Sequence, residues 1–251
     1  MLTDRERRGI RVEIVVVLAV TFGLSGARAA LSLLQDALAP TPLAEQSVAL
    51  NQSQAEMSAI DLAWQILGFT QLFAWGALGL YLLWRTGRTL AEVGLAKFSS
   101  RKDLLPAVGL ALLIGIPGLG LYLVAHALGL NLTVVPTTLN DHWWRIPVLV
   151  VFAVANAAAE EIVVVGFLMT RLRDLGWSES RSLAASSLLR GSYHLYQGLG
   201  GGLGNVIMGL IFGRYWQVRN RLWPLILAHA FIDIAAFAGY ALLHGHISWI
   251  G

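Results

Sequence analysis

The sequence predicts an all-α protein, a polytopic bundle of transmembrane helices with about seven spans, or eight. Three observations predict it. Of the 251 residues, 56% are hydrophobic and only 13% are charged. The mean hydropathy of +0.64 is too high for a soluble domain and right for a helical membrane protein. The apolar residues also fall into runs close to the ~20 residues that a helix needs to cross a bilayer.

The first span covers about 13–34 and follows Arg5, Arg7, Arg8 and Arg11. The stretch Gly26-Ala27-Arg28-Ala29 resembles a small-residue cleavage site, but apolar helical character continues through Leu34, so the helix reads as retained. A polar stretch from Asp36 to Met57 carries Glu45 and Glu56 and no Lys or Arg. Span two runs over 60–84. Span three runs over 104–128, where Gly115, Pro117, Gly118 and Gly120 predict a kink. Span four covers 144–172, span five 179–196, span six 203–216 and span seven 223–243. Span five is more polar and leads into Gly198-Leu-Gly-Gly-Gly202.

Charge orients the chain. Apart from Arg28, Arg145 and Arg190, all 18 Lys and Arg residues lie in or beside the amino tail and the loops after spans two, four and six. The positive-inside rule then predicts a cytoplasmic amino end and an external carboxyl end in the cell membrane. Trp84, Trp143, Trp144, Trp177, Trp216, Trp223 and Trp249 fall at span ends, as an interfacial belt requires. The basic residues are dispersed as short flanks, a pattern that argues against a nucleic-acid partner despite the net charge of +3. No cysteine is present, so disulfide and thiolate chemistry are excluded. No internal repeat is visible, which counts against the inverted-repeat transporters.

Span four carries Glu160 and Glu161 in an otherwise uncharged aliphatic run from Ile146 to Thr170. A carboxylate at that depth costs roughly 2.5–3.5 kcal/mol on insertion scales, so such residues mark function more often than packing. Polar residues recur at helical spacing: Asn156 and Glu160 in span four, Arg190, His194 and Gln197 in span five, His229 and Asp233 in span seven. That set suits an activated water, with or without a metal, or a proton relay. The zincin pattern His-Glu-x-x-His is absent, and Gly191-Ser192-Tyr193 is not the nucleophile elbow of a serine hydrolase.

Glu160-Glu161, His194-Leu-Tyr-Gln-Gly198 and His229-x-x-x-Asp233 resemble the three motifs of the CAAX-protease and bacteriocin-processing (CPBP, or Abi) intramembrane protease family. Those motifs are Glu-Glu-x-x-x-Arg, Phe-x-x-x-His and His-x-x-x-Asn/Asp on successive transmembrane helices. The resemblance implies a protease core over 144–243, preceded by three spans in 1–143 and followed by a short tail, 244–251. It implies an intramembrane endopeptidase acting on a peptide or protein at the bilayer. Glu160 and His194 would activate water, Glu161 would support them, and His229 with Asp233 would stabilise the oxyanion or hold a metal. Arg190, Asn156 and Gln197 would be supporting residues. Zinc or another divalent metal would draw on Glu160, His194 and His229. Two positions depart from the motifs: Val165 stands where arginine is expected, and Arg190 where phenylalanine is expected. Arg190 would then supply the missing positive charge to Glu161. The alternatives are an immunity or scaffold protein on the same fold, and a proton-coupled transporter.

The charge asymmetry makes a direct prediction. Single cysteines introduced at Lys97 and Arg173 should label only from the cytoplasmic side, and one at Glu45 only from outside. Cytoplasmic-only labelling at 45 overturns the assignment.

Overall fold

The computed structural model of the protein describes residues 3–243; the expected tail, with Trp249, lies outside the described residues. Eight helices account for most of it: α1 (Asp4–Val20), α2 (Phe22–Ala37), α3 (Ser58–Arg85), α4 (Ser100–Ala127), α5 (Arg145–Asp174), α6 (Glu179–Ser192), α7 (Leu199–Arg219) and α8 (Trp223–Leu243). The helices α3, α4, α5 and α8 are each long and apolar enough to cross a membrane, and the bent pair α1–α2 makes a fifth if counted as one span. The protein is therefore an integral membrane protein built of helices. Of the other two expected spans, α6 has 14 residues, about 21 Å of helix at 1.5 Å per residue.

The bend in the first span was not expected. α1 opens on a capping box, in which the Thr3 hydroxyl accepts from the Glu6 amide while Glu6 accepts from the Thr3 amide. The helix breaks at Thr21, turning by 50° into α2. Thr21 leaves helical geometry (φ −125°, ψ −126°), and its hydroxyl donates to the Val17 carbonyl at 2.7 Å. Such back-bonding bends helices. Pro117, where a kink is expected, sits inside α4, and the helix runs on through it.

Two short strands add to the all-helical expectation. β1 (Ser47–Asn51) and β2 (Thr133–Thr137) pair in parallel, Ser47 opposite Thr133 and Asn51 opposite Thr137. They join the loops after spans one and three. Leu132 donates its amide to the Gln197 carbonyl and Leu199 to the Leu130 carbonyl, so the turn after α6 meets the same region. At the opposite pole, Arg88 pairs with Asp174 at 2.5 Å and Arg221 with Asp103 at 2.5 Å. The Leu222 amide donates to the Gly94 carbonyl there. Trp216 and Trp223 are not free belt residues: their indole N–H groups donate to the Val93 and Ala96 carbonyls. Trp144 is likewise buried and donates to Ser58, whereas Trp84 and Trp143 stay exposed as a belt requires.

α6 and α7 lie close together, and glycine permits it. A Cβ on Gly191 would lie 2.4 Å from Val206 Cγ2, and one on Gly209 would lie 2.9 Å from Ser187 Cα. Small residues that let helix backbones approach are a standard membrane interface. This contact fixes the height and rotation of α6, and with them the position of Arg190.

Gly191→Ala should therefore lower thermal stability in detergent by about 1–3 kcal/mol, the usual cost of overpacking. Gly118→Ala, with open space around its Cβ, should be neutral or stabilising, since alanine favours a helix interior by about 1 kcal/mol. Equal melting temperatures for the two variants would contradict the packing account.

Candidate active site

Glu160 and Glu161 are adjacent in sequence, which in a regular α-helix turns them about 100° apart. Here the regular helix ends at Glu160 and a π-helical turn runs from Glu161 to Phe167. A π turn holds more residues per turn, narrowing that angle, and such turns gather at functional sites. Both carboxylates meet one guanidinium. Arg190 Nη1 donates to Glu160 Oε2 at 3.2 Å and Nη2 to Glu161 Oε1 at 2.7 Å. Arg190 and Glu161 have no exposed surface, and Glu160 has 3%.

Arg190 therefore supplies the positive charge that Val165 cannot. Val165 is buried in a cluster with Met169, Phe212 and Leu225, and the Arg190 guanidinium lies 5.8 Å from the centre of the Phe212 ring. Positions 165 and 190 thus border the same aromatic ring. The two glutamates on α5 thus draw their positive charge from α6.

The remaining expected residues extend the network on one side. His229 Nδ1 lies 2.9 Å from Glu161 Oε1, and its Nε2 lies 3.6 Å from Asp233 Oδ2. A carboxylate can only accept, so Nδ1 carries the hydrogen. Asn156 donates to Asp233 Oδ2 at 3.1 Å, joining α5 to α8 across the site.

Span five differs from expectation. α6 ends at Ser192, so Arg190, His194 and Gln197 do not form one helical stripe. His194 lies in the turn after the helix, with Nδ1 3.0 Å from the Arg190 carbonyl. A carbonyl also only accepts, which puts the hydrogen on Nδ1 and leaves Nε2 as the basic nitrogen. Gln197 sits in a 3₁₀ turn and donates to the Tyr196 hydroxyl. Neither His194 nor Gln197 is hydrogen-bonded to the glutamates among the described residues.

One residue escaped the sequence reading. Tyr193 donates its hydroxyl to Glu160 Oε2 at 2.7 Å and is buried. The signal was available, because Tyr193 lies three positions after Arg190, a spacing that brings side chains to the same side of a helical turn.

The fold does not assemble the expected zinc ligands. Among the described residues no three His, Asp or Glu side chains converge as a metal site. Glu160 Oε2 is taken by Arg190 and Tyr193, and His229 Nδ1 faces Glu161. A guanidinium between the carboxylates is a poor neighbour for a divalent cation. This donor set does not fit the metal.

Residues 142–235 match the family described as type II CAAX prenyl endopeptidase, Rce1-like. That segment is similar to the CAAX-protease family. The Rce1-like match takes in Glu160, Glu161, Arg190, His194, His229 and Asp233, but it is under half of the chain and leaves out α1 to α4. No curated protein and no solved structure matches the chain.

Arg190→Leu should strand two buried carboxylates and cost on the order of 3–5 kcal/mol. The double change Val165→Arg with Arg190→Phe, which restores the motifs that the sequence resembles, should recover part of the loss. Thermal unfolding in detergent checks both. A single variant as stable as wild type, or a double variant no better than the single, would remove the ion pair from this account.

Proposed function

We propose that the protein is an intramembrane endopeptidase that hydrolyses a peptide bond of a membrane-proximal substrate with a glutamate-activated water. The observation that carries this reading is the buried ion pair: Arg190 holds both motif glutamates although the motif's own arginine is missing. Ionisable groups at that depth are costly, pair with one another and mark functional sites, as these three do. The Rce1-like match supports the reaction class.

Both hydrogen bonds to Glu160 land on Oε2, leaving Oε1 to receive a water. In the proposed reaction Glu160 Oε1 takes a proton from that water as its oxygen bonds to the scissile carbonyl carbon. The carbonyl oxygen becomes an oxyanion beside His229, which Glu161 and Asp233 hold in place. The tetrahedral intermediate then collapses, the C–N bond breaks, and the proton on Glu160 passes to the leaving amine. His194 Nε2 assists in orienting the water. The buried Glu161 Oε2 and Arg190 Nε have no hydrogen-bond partner among the described residues, so in this reading both remain for water or substrate backbone.

We also place the amino end in the cytoplasm and the carboxyl end outside, with seven crossings. The contacts support this, since the loops after α2, α4 and α6 meet at one pole and those after α3, α5 and α7 at the other. The three N-terminal spans and the core from 144 would then be one body in the bilayer.

The test uses purified protein in proteoliposomes and an internally quenched CAAX-type peptide, supplied with and without a farnesyl thioether. Glu160→Gln keeps the shape and removes the base, and should lose about 10²–10⁴ in rate, the usual range for general-base loss. Folding should be retained. Undiminished cleavage by that variant would refute the assignment, and no cleavage by wild type on any peptide would favour the scaffold reading.

A further inference from the structure

The site described so far comes from α5, α6 and α8. One of its contacts leads outside the matched segment. The Tyr193 ring, whose hydroxyl binds Glu160, packs against Phe22, with ring centres 4.9 Å apart. Phe22 is the first residue after the break at Thr21, is buried, and is itself braced edge-on by Trp75 of α3 at 5.3 Å. One turn on, Gly26 of α2 meets Ser192: a Cβ there would lie 2.4 Å from the Ser192 hydroxyl oxygen. Phe22 and Gly26 thus press on the residues at the end of α6, where the helix unwinds to place Tyr193 and His194.

We infer that the broken N-terminal helix is part of the catalytic apparatus, with Phe22 a positioning residue that acts through Tyr193 on Glu160. The inference rests on the endopeptidase reading above. Tyr193 and Arg190 together claim Glu160 Oε2, so the side chain is held from two directions and Oε1 is the oxygen presented to water. A tyrosine side chain has few rotatable bonds, and the Phe22 ring removes the freedom that remains by filling the space beside it. With Phe22 truncated, Tyr193 has room to leave Glu160, and the carboxylate then rotates about the Arg190 contact alone. The 50° bend matters because it delivers Phe22: a straight helix through Thr21 would carry residue 22 along a different line.

The inference makes Phe22 and Tyr193 links in one chain, so their effects should not add. In proteoliposomes, with the same quenched peptide, Tyr193→Phe and Phe22→Ala should each lower kcat about 10-fold with KM unchanged. The double variant should be no slower than the worse single. Phe22→Tyr, which keeps a ring, should restore most of the rate. Val15→Ala, on an exposed face of α1, should do nothing. A purely structural role would instead lower the folded fraction and leave kcat per folded molecule unchanged, so active-site titration or folded-fraction normalisation accompanies each rate. Multiplying losses in the double variant, or a rise in KM in place of the fall in kcat, overturns the inference while leaving the endopeptidase reading intact. A wild type that cleaves no peptide overturns both. Thermal stability supplies a readout independent of cleavage: Phe22→Ala and Tyr193→Leu should be non-additive in melting temperature if the rings support each other, and additivity there also counts against the link.

Discussion

Two carboxylates and one guanidinium are held together where the bilayer would ordinarily exclude all three. Each charge alone is costly at that depth, and only their mutual contact makes the arrangement tolerable. The constraint explains much of the architecture. The guanidinium must reach α5 from α6, so α6 must be fixed against its neighbours in height and rotation. Glycines in α6 and α7 permit that approach, and Gly26 of α2 permits another on the opposite side. The π turn after Glu160 brings the second carboxylate round to the same cation.

The network around this pair separates two kinds of polar residue. Arg190, Tyr193 and Asn156 are donors that fix the orientation of acceptors. The histidines each have one nitrogen committed to an acceptor, His194 to a backbone carbonyl and His229 to a carboxylate. Committing one ring nitrogen settles the tautomer and frees the other for chemistry. Zinc is a poor fit for a different reason, because a guanidinium already lies between the two carboxylates.

A second buried arginine helps to secure the opposite pole. Arg171, 2% exposed, donates to Glu13 at 2.6 Å and to the Leu82 carbonyl, and pairs with Asp174. This ties α1, α3 and α5 together at the end away from the strands. The bent first span is therefore anchored on both sides of its break: by Glu13 on Arg171, and by Phe22 and Gly26 on the end of α6.

Composition and the spacing of apolar runs determined the helical membrane class, because hydrocarbon leaves a backbone few ways to satisfy its own hydrogen bonds. The charge pattern of the loops was equally legible. So were the candidate residues Glu160, Glu161, Arg190, His229, Asp233 and Asn156, since buried charge is rare enough to stand out residue by residue. The tertiary structure decided what spacing could not. Polar periodicity extends the helix through His194 and Gln197, whereas the folded chain ends it at Ser192. The strands β1 and β2 are five residues each, and their partners are far apart in sequence, so neither segment announces the other. Nothing local marks Thr21 as a break or places Phe22 on Tyr193. Those contacts depend on how α2, α3 and α6 meet, a relation between distant segments that no single stretch of sequence records.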